Sequence, residues 1–267
     1  MRICSLLGSP GVGKGTFAKL ICSELHWKHI SLGYDMIVSF IRDVIIHEYL
    51  CCSLFLLYSD ILRAKNHEMS HAEDDHIKAT MLAGNLVSDS LANDLILNEM
   101  SGKQSANTYR GYLLDGYPRT LSQARFLHQY ITGGFSDCDS ADNIVHKFVA
   151  IHIKLDQRVA VAKLLGRRIC QTCGGNFNVA SVMDGGYDMP AILPDPHTCR
   201  LHGRCDPILI MRSDDTEHTI NKRIDLYMKQ NQSILDFYSE MNTLQSFEVT
   251  KGVKDAGKLI RLVEQSY

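Results

Sequence analysis

The sequence has no strong excess of either charge, which limits the classes of partner that it can be expected to bind. Its 28 Lys and Arg residues against 30 Asp and Glu residues give a formal net charge of −2. With a pI near 6.6, the chain carries no broad basic field of the kind that nucleic-acid binding requires. We therefore expect no nucleic-acid partner, and we expect basic residues to cluster locally around phosphate groups.

Long apolar runs are also missing. The nearest candidate, residues 44–58, contains His47 and Glu48, whereas a membrane span needs roughly 18 or more consecutive apolar residues. Met1 precedes the first apolar run by one residue, which leaves no room for a leader peptide. We therefore expect a cytoplasmic protein without a membrane anchor; an upstream presequence missing from this sequence would make it organellar.

What is present is enough apolar material for a large core. The chain has 267 residues, 45% of them hydrophobic, which suits one large α/β domain with smaller inserted lobes. It also has nine cysteines. In a cytosolic chain these indicate thiols or metal ligands rather than disulfides.

A glycine-rich segment near the start is the strongest single motif. It follows an apolar run at 3–7 and precedes a helical pattern at 17–25. Glycines let successive backbone N–H groups turn toward an anion, and the start of the following helix adds its positive end. The predicted triphosphate cradle comprises Gly11, Val12, Gly13, Lys14, Gly15 and Thr16, with the lysine as a cation and the threonine hydroxyl as a Mg²⁺ ligand. The alternative is a glycine-rich turn without a ligand.

A second motif, GYLLDGYPRT at 111–120, places an acid and an arginine after an apolar strand. Open α/β sheets bind their ligands at that end of the strands. Together, this motif and the GSPGVGKGT string at 8–16 resemble the nucleoside monophosphate kinases, adenylate kinase above all. The resemblance implies that Asp115 holds Mg²⁺ through water and that Gly116, Arg119 and Gln123 bind AMP. A structural Asp-Gly turn is the alternative.

The segment between these motifs departs from the family pattern. His29-Ile30-Ser31-Leu32-Gly33 is followed by residues 34–59 before Asp60-Ile61-Leu62-Arg63. Removing 34–59 restores the family string as HISLGDILR, so we interpret this stretch as an insertion; a genuine extra helical element is the alternative. Farther on, GNLVSD at 84–89 resembles a family segment that contacts the AMP base, although its apolar spacing also suits simple helix packing. The resemblance thus implies that AMP is bound by Leu32, Gly33, Arg63, Asn85, Leu86 and Val87.

The region after a predicted helix at 157–168 resembles the lid of the long-form enzymes. Arg167 is expected to contact the transferring phosphate and also the phosphates of ATP. Lys163 stands where the family has an arginine that stacks on the ATP base. Which nucleoside triphosphate is the donor is therefore left open. Two cysteines at 170 and 173 and a later cluster of Cys199, His202 and Cys205 have spacings that suit tetrahedral Zn²⁺. The resemblance implies that the ligands are Cys170, Cys173, His202 and Cys205, with Cys199 as a substitute; Cys199 with His202 is the other possible second pair. A lid without zinc is the alternative.

A charged segment follows the lid and leads into a long amphipathic helix predicted at 216–238. The resemblance implies that Arg212, Asp214, Asp215 and Arg223 close the lid over the transferring phosphoryl group, and that both arginines also contact AMP. The alternative is a solvated, charged helix end.

These observations predict an α/β fold of the P-loop NTPase type, a parallel sheet flanked by helices. The predicted core comprises 1–30, 110–166 and 213–267, the monophosphate lobe 31–109 and the lid 167–212. By resemblance, the activity is Mg²⁺-dependent transfer of a phosphoryl group from ATP to AMP, giving two ADP, by a monomer. The alternatives are a GTP:AMP phosphotransferase, a homologue impaired by the 34–59 insertion and, from another class, a zinc-knuckle nucleic-acid binder.

Overall fold

The computed structural model describes residues 1–32, 80, 83, 85–101, 109–133, 147–171, 175–194, 207–211 and 215–267. Helices and strands alternate along most of these residues, as the sequence predicts for a parallel α/β sheet. In chain order the described elements are β1 (Arg2–Leu7), α1 (Lys14–Leu25), β2 (Lys28–Ser31), α2 (Asp89–Ser101), β3 (Gly111–Asp115), α3 (Leu121–Ile131), β4 (Lys147–Lys154), α4 (Gln157–Leu165), β5 (Arg167–Cys170), β6 (Asn176–Asn178), β7 (Leu209–Ile210), α5 (Glu217–Glu240), β8 (Leu244–Glu248), a 3₁₀ turn (Gly252–Asp255) and α6 (Ala256–Gln265).

The main sheet has five strands in the order β2-β3-β1-β4-β8, and the strand pairs are all parallel. This confirms the predicted α/β class. Leu6 of β1 lies beside Asp115 of β3, so the glycine loop and the Asp115–Gly116 turn leave the sheet side by side. Parallel strands therefore bring the two strongest sequence motifs to one edge, although they are about 100 residues apart in the chain.

Helices cover both faces of the sheet. Successive strand residues point to opposite faces, so neighbouring residues of one strand pack against different helices. Cys4 and Leu6 pack with α1 and α6 in one buried cluster. Ile3 and Leu114 pack with α2 and α3 in another. Burial on both faces explains why the strands are near-continuous apolar runs rather than alternating ones.

Three antiparallel strands, in the order β6-β5-β7, form a second, smaller sheet in the region predicted as the lid. The prediction that the helix continues to 168 is wrong. Helix α4 ends at Leu165, and Arg167 belongs to β5. Gly166 is in close contact with Ala180, since a Cβ there would collide with it. The carbonyl of Gly166 accepts from the backbone N–H of Val179 at 2.8 Å, so at this residue the backbone pairing passes from the helix to the small sheet region.

Other boundaries also differ from the predictions. The helical spacing of apolar residues over 73–91, interrupted at 84–85, predicts two helices with a corner between them. Residues 85–88 are not helical, in agreement with that corner, but α2 runs to Ser101, beyond the end of the pattern. The sequence of residues 247–250 predicts the last strand there, whereas the observed strand is Leu244–Glu248. Residues 133–143 are polar and contain glycine, which predicts a surface loop, but almost all of them lie outside the described residues. In the portion of the chain that the structure describes, no helix is long and apolar enough to cross a membrane.

Candidate active site

The glycine loop joins β1 to α1 through backbone conformations that favour glycine. Gly11 and Gly13 both have φ near +90°. A Cβ on Gly11 would also collide with the carbonyl of Ala160 in α4. Helix α1 begins at Lys14, and its ammonium donates to the carbonyl oxygens of Gly8 at 2.7 Å and Ser9 at 3.0 Å. The ammonium is thereby held across the loop at the start of α1, which is the position of an anion site.

The Asp115–Gly116 turn lies directly beside this helix start. Oδ2 of Asp115 is 3.1 Å from the point that a Cβ on Gly15 would occupy. Gly116 has a φ of +76°, and its carbonyl accepts from Nε of Arg119 at 2.7 Å. His29, which was not among the predicted site residues, also belongs to this turn: its Nε2 lies 3.4 Å from Oδ2 of Asp115. The available signal was its place in β2, the strand that leads to the predicted contact Leu32.

Asp215 brings two predicted arginines together. Its side chain is fully buried; Oδ2 accepts from Nε of Arg167 at 2.6 Å, and Oδ1 accepts from Nη2 of the same guanidinium. Nη1 of Arg223 lies 4.0 Å from Oδ1. Asp215 therefore orients the two arginines, rather than itself facing the cleft.

The cations around the glycine loop influence each other electrostatically. Burial lowers the pKa of Lys14 to about 8; Asp115 opposes this shift, while Arg119 and Arg167 add to it. Enclosure among protein atoms also lowers the pKa of Arg119, with Asp115 opposing and Arg223 contributing. The shifts show that these cations repel each other in spite of the nearby carboxylates Asp115 and Asp215, and a polyphosphate anion would relieve that repulsion.

The other side of the cleft carries the predicted monophosphate contacts. Gln123 accepts on Oε1 from the backbone N–H of Arg119 at 2.7 Å and donates from Nε2 to Oδ1 of Asp89 at 2.8 Å. Asp89, which also accepts from Thr120 Oγ1 at 2.9 Å, was not predicted as a site residue. Lys222 on α5 donates to the carbonyl of Ala83, just before the predicted base-contact segment. The segment is thus tied to the core by side chains from two helices.

The glycine loop, the Asp115–Gly116 turn, Arg119, Arg167, Arg223 and Gln123 border one cleft of about 1070 Å³. Its wall joins the glycine loop to the monophosphate side, so one space is shared by both predicted nucleotide subsites. The predicted residues on the wall are Gly11, Val12, Gly13, Lys14, Gly15, Thr16, Leu32, Asn85, Leu86, Val87, Asp115, Gly116, Arg119, Gln123, Arg167 and Arg223.

Lys163 stands at the position where the family has an arginine that stacks on the ATP base, but its observed contacts are with backbone carbonyls. Its ammonium donates to the carbonyl oxygens of Ala180 at 2.8 Å, Met189 at 3.0 Å and Pro190 at 3.4 Å. It therefore fastens the 180–190 segment to α4, and its charge is directed at protein carbonyls. This pairing could not be deduced from the sequence, because the partners are backbone atoms.

Several predicted residues lie outside the described part of the chain: Gly33, Arg63, Cys173, Cys199, His202, Cys205, Arg212 and Asp214. Of the zinc ligands only Cys170 is described, and it is buried. Among the described residues, no group of three or more His, Cys, Asp or Glu side chains could hold a metal ion. The zinc site stays a prediction.

The residues predicted for Mg²⁺ fit that ion in kind. Thr16 and Asp115 offer a hydroxyl and a carboxylate, the hard oxygen ligands that Mg²⁺ prefers, and both border the cleft beside the glycine loop. Two protein ligands are also typical, since Mg²⁺ keeps several waters and binds substrate phosphates.

Comparison with known proteins supports the same assignment. A family model described as adenylate kinase matches residues 42–243. A GTP:AMP phosphotransferase of Plasmodium falciparum is 32% identical over 96% of this chain and 92% of its own length. A probable chloroplastic adenylate kinase of Arabidopsis thaliana is 34% identical over 96% of this chain and 72% of its own. An adenylate kinase of Thermotoga petrophila is 30% identical over 95% of this chain and 92% of its own. The chain belongs to the adenylate kinase family, and is thus a nucleoside monophosphate kinase, a phosphotransferase.

Proposed function

We propose that the protein transfers the γ-phosphoryl group of MgATP reversibly to AMP, forming two ADP. The observation that supports this most strongly is the convergence of Lys14, Arg119, Arg167 and Arg223 on one cleft. The glycine loop at one side suits the triphosphate, and Gln123 at the other suits the monophosphate.

The reaction needs no nucleophilic side chain. A phosphate oxygen of AMP attacks the γ-phosphorus in line, the bond to the β-phosphate oxygen breaks, and ADP leaves from each side. Charge spreads over the equatorial oxygens of the transferring group, and fixed cations around it stabilise that charge. In this proposal Lys14 and Arg167 contact the donor phosphates, and Arg119 and Arg223 hold the AMP phosphate.

The buried carboxylate of Asp215 supports this arrangement by positioning. It holds Arg167 through two hydrogen bonds and lies near Arg223, so both guanidinium groups are oriented before substrate arrives. Preorganised charge of this kind avoids reorganisation during the reaction. Bound Mg²⁺, held by Thr16 and, through water, by Asp115, would supply further neutralisation of phosphate charge. We propose that Arg63, Arg212 and Asp214 complete the set.

A GTP:AMP phosphotransferase is the second candidate. Lys163 is engaged with three carbonyls instead of stacking on a base, so the donor base loses the contact that the family pattern assigns to it. The name of the Plasmodium falciparum relative also favours this candidate. The acceptor is AMP in both proposals.

A coupled assay tests these proposals. The purified chain is incubated with AMP and Mg²⁺ plus ATP, GTP, CTP or UTP, and ADP formation is followed. We expect turnover with ATP above the other donors; faster turnover with GTP would select the second candidate. Lys14→Met is the inactive reference, and Lys229→Met, which removes an exposed lysine of α5, is its matched control. No ADP with any donor would contradict the proposed function.

The insertion calls for a separate experiment, since residues 34–59 lie outside the described part of the chain. A variant lacking 34–59 is assayed beside the full chain. Comparable activity would make the insertion a tolerated appendage, whereas activity only in the shortened form would identify the full chain as an impaired homologue.

The remaining assignments are part of the same proposal. We propose a monomeric, cytoplasmic enzyme in nucleotide biosynthesis, with the core, monophosphate lobe and lid divided as the sequence predicts. Two plant relatives are named chloroplastic, which supports an organellar form as the alternative location. Zinc analysis of the purified protein and its sedimentation in solution test the lid metal and the monomer.

A further inference from the structure

The side-chain amide of Gln123 is held in one orientation by two partners, one a hydrogen-bond donor and the other a hydrogen-bond acceptor. Its Oε1 accepts from the backbone N–H of Arg119 at 2.7 Å, and its Nε2 donates to Oδ1 of Asp89 at 2.8 Å. The backbone N–H can only donate, and a carboxylate can only accept. Turning the amide over would place donor against donor at one end and acceptor against acceptor at the other.

Asp89 is itself anchored. Its second oxygen, Oδ2, accepts from Oγ1 of Thr120 at 2.9 Å, and the residue is the first of α2, where the helix dipole favours an acid. Gln123 is only 2% exposed, yet it borders the cleft. The amide is therefore a buried, fixed group at the wall of the ligand space.

In its contacts with the described residues, each end of this amide keeps one unused hydrogen-bonding position. Oε1 keeps a second lone pair, and Nε2 keeps a second hydrogen. The edge of adenine presents a donor, the exocyclic amine, beside an acceptor, N1, and so complements an oxygen beside an N–H. Hypoxanthine and guanine present the reverse, an acceptor O6 beside an N1–H donor. They would complement only an amide that had been turned over.

We propose that Asp89 is a specificity-determining positioning residue for the acceptor nucleotide. It keeps Gln123 in the orientation that selects an adenine monophosphate over inosine and guanine monophosphates. This inference rests on the proposed function, in which the Gln123 side of the cleft takes AMP. It extends that function because Asp89 contacts the base only through another side chain.

The test is Asp89→Asn. The new amide can donate or accept, so it no longer dictates which end of Gln123 it faces. Dissociation constants for AMP and IMP are measured by calorimetry, and kcat/KM for both with the same donor. We expect the preference for AMP over IMP to fall by at least about tenfold in both measurements, the scale of one hydrogen bond to a charged group.

Two further variants make the test decisive. Gln123→Met keeps an unbranched side chain of similar length but has no polar edge, so the preference should fall to within a few fold of unity. Asp236→Asn is the matched control: Oδ1 of Asp236 accepts from Nε2 of Gln232 in an exposed pair on α5, and its loss should leave the preference unchanged.

The outcomes separate the inference from the proposed function. An unchanged preference in a folded Asp89→Asn protein that still makes ADP would overturn the inference alone. If Asp89→Asn does not fold, an unchanged preference in Gln123→Met would overturn it instead. A native chain that neither binds AMP nor makes ADP would overturn both.

Discussion

Arg167 donates from Nε to Oδ2 of Asp215 at 2.6 Å, across 48 positions of the sequence. The arginine lies on the first strand of the small sheet and the aspartate two residues before α5, so the contact joins the predicted lid to the core. Asp215 is fully buried, whereas Arg167 remains partly exposed to the cleft. One end of the ion pair is therefore structural and the other faces the ligand space.

Removing the charge of Asp215 should affect both stability and turnover. In Asp215→Asn the guanidinium of Arg167 loses a charged acceptor, and we expect a loss of about 1 to 3 kcal/mol in the free energy of unfolding, measured by urea titration. We also expect kcat to fall at least about tenfold, because Arg167 and Arg223 lose their orientation.

Asp188→Asn is the control for that experiment. Asp188 pairs with Lys254 at 2.9 Å, but both side chains are well exposed. Such a pair contributes under about 1 kcal/mol. Equal losses of stability in the two variants would contradict the role assigned to Asp215.

Lys14→Met should leave a folded protein with little turnover. The ammonium is the cation of the glycine loop, and removing one preorganised donor from a transition state costs on the order of 100- to 1000-fold in kcat. Steady-state kinetics with ATP and AMP measure this loss. A circular-dichroism spectrum unlike that of the native chain would show that misfolding, and not loss of the cation, had caused it.

The pH dependence of the reaction should report the same ammonium. Burial in the cleft lowers the pKa of Lys14 to about 8, so the free enzyme loses this cation as the pH rises through that value. We expect kcat/KM for the donor to fall above about pH 8. The thiol of Cys22 does not interfere, since burial raises its pKa to about 12.

A bound polyphosphate should shift this profile. Its negative charge favours the protonated lysine, so kcat at saturating donor should persist to higher pH than kcat/KM. A kcat/KM that stays flat up to pH 10 would contradict a lowered Lys14 pKa.

Gly11→Ala should destabilise the loop strongly. The φ of +90° is strained for alanine, and the added Cβ would collide with the carbonyl of Ala160. We expect the free energy of unfolding to fall by at least about 2 kcal/mol in urea titration. Gly257→Ala, in α6 where a Cβ would contact only the end of Arg261, should be neutral or stabilising by up to about 1 kcal/mol. Similar losses in both variants would contradict a specific requirement at Gly11.

Lys163→Met should weaken donor binding more than it slows the chemistry. The variant leaves the carbonyls of Ala180, Met189 and Pro190 without their shared donor, and Met189 and Pro190 border the cleft. We expect KM for the nucleoside triphosphate to rise about tenfold with kcat changed by less than about threefold. Lys229→Met is the control, and an unchanged KM in Lys163→Met would show that the 180–190 segment does not shape the donor site.

Much of the architecture could be predicted from local patterns. The strands β1 and β3 are buried on both faces, so their sequences are plain apolar runs, and the glycines at 11 and 13 mark a turn that other residues would strain. Helix ends were less predictable. Helix α4 ends before Arg167 because Arg167 pairs with β6 in the small sheet, and α2 continues to Ser101 beyond the apolar pattern at 73–91.

The sequence by itself determined the class of the protein. Its glycine-rich turn at 8–16 indicates a phosphate-binding loop, and the Asp-Gly turn after the apolar run at 111–114 indicates a strand that ends at the ligand-binding edge of a sheet. The tertiary structure decided the partners of the charged and polar side chains. Asp89 with Gln123, and Lys163 with three carbonyls, are contacts between segments distant in the chain. A residue's type shows what it can donate or accept, but only the packed fold determines which donor and acceptor lie within 3 Å of each other.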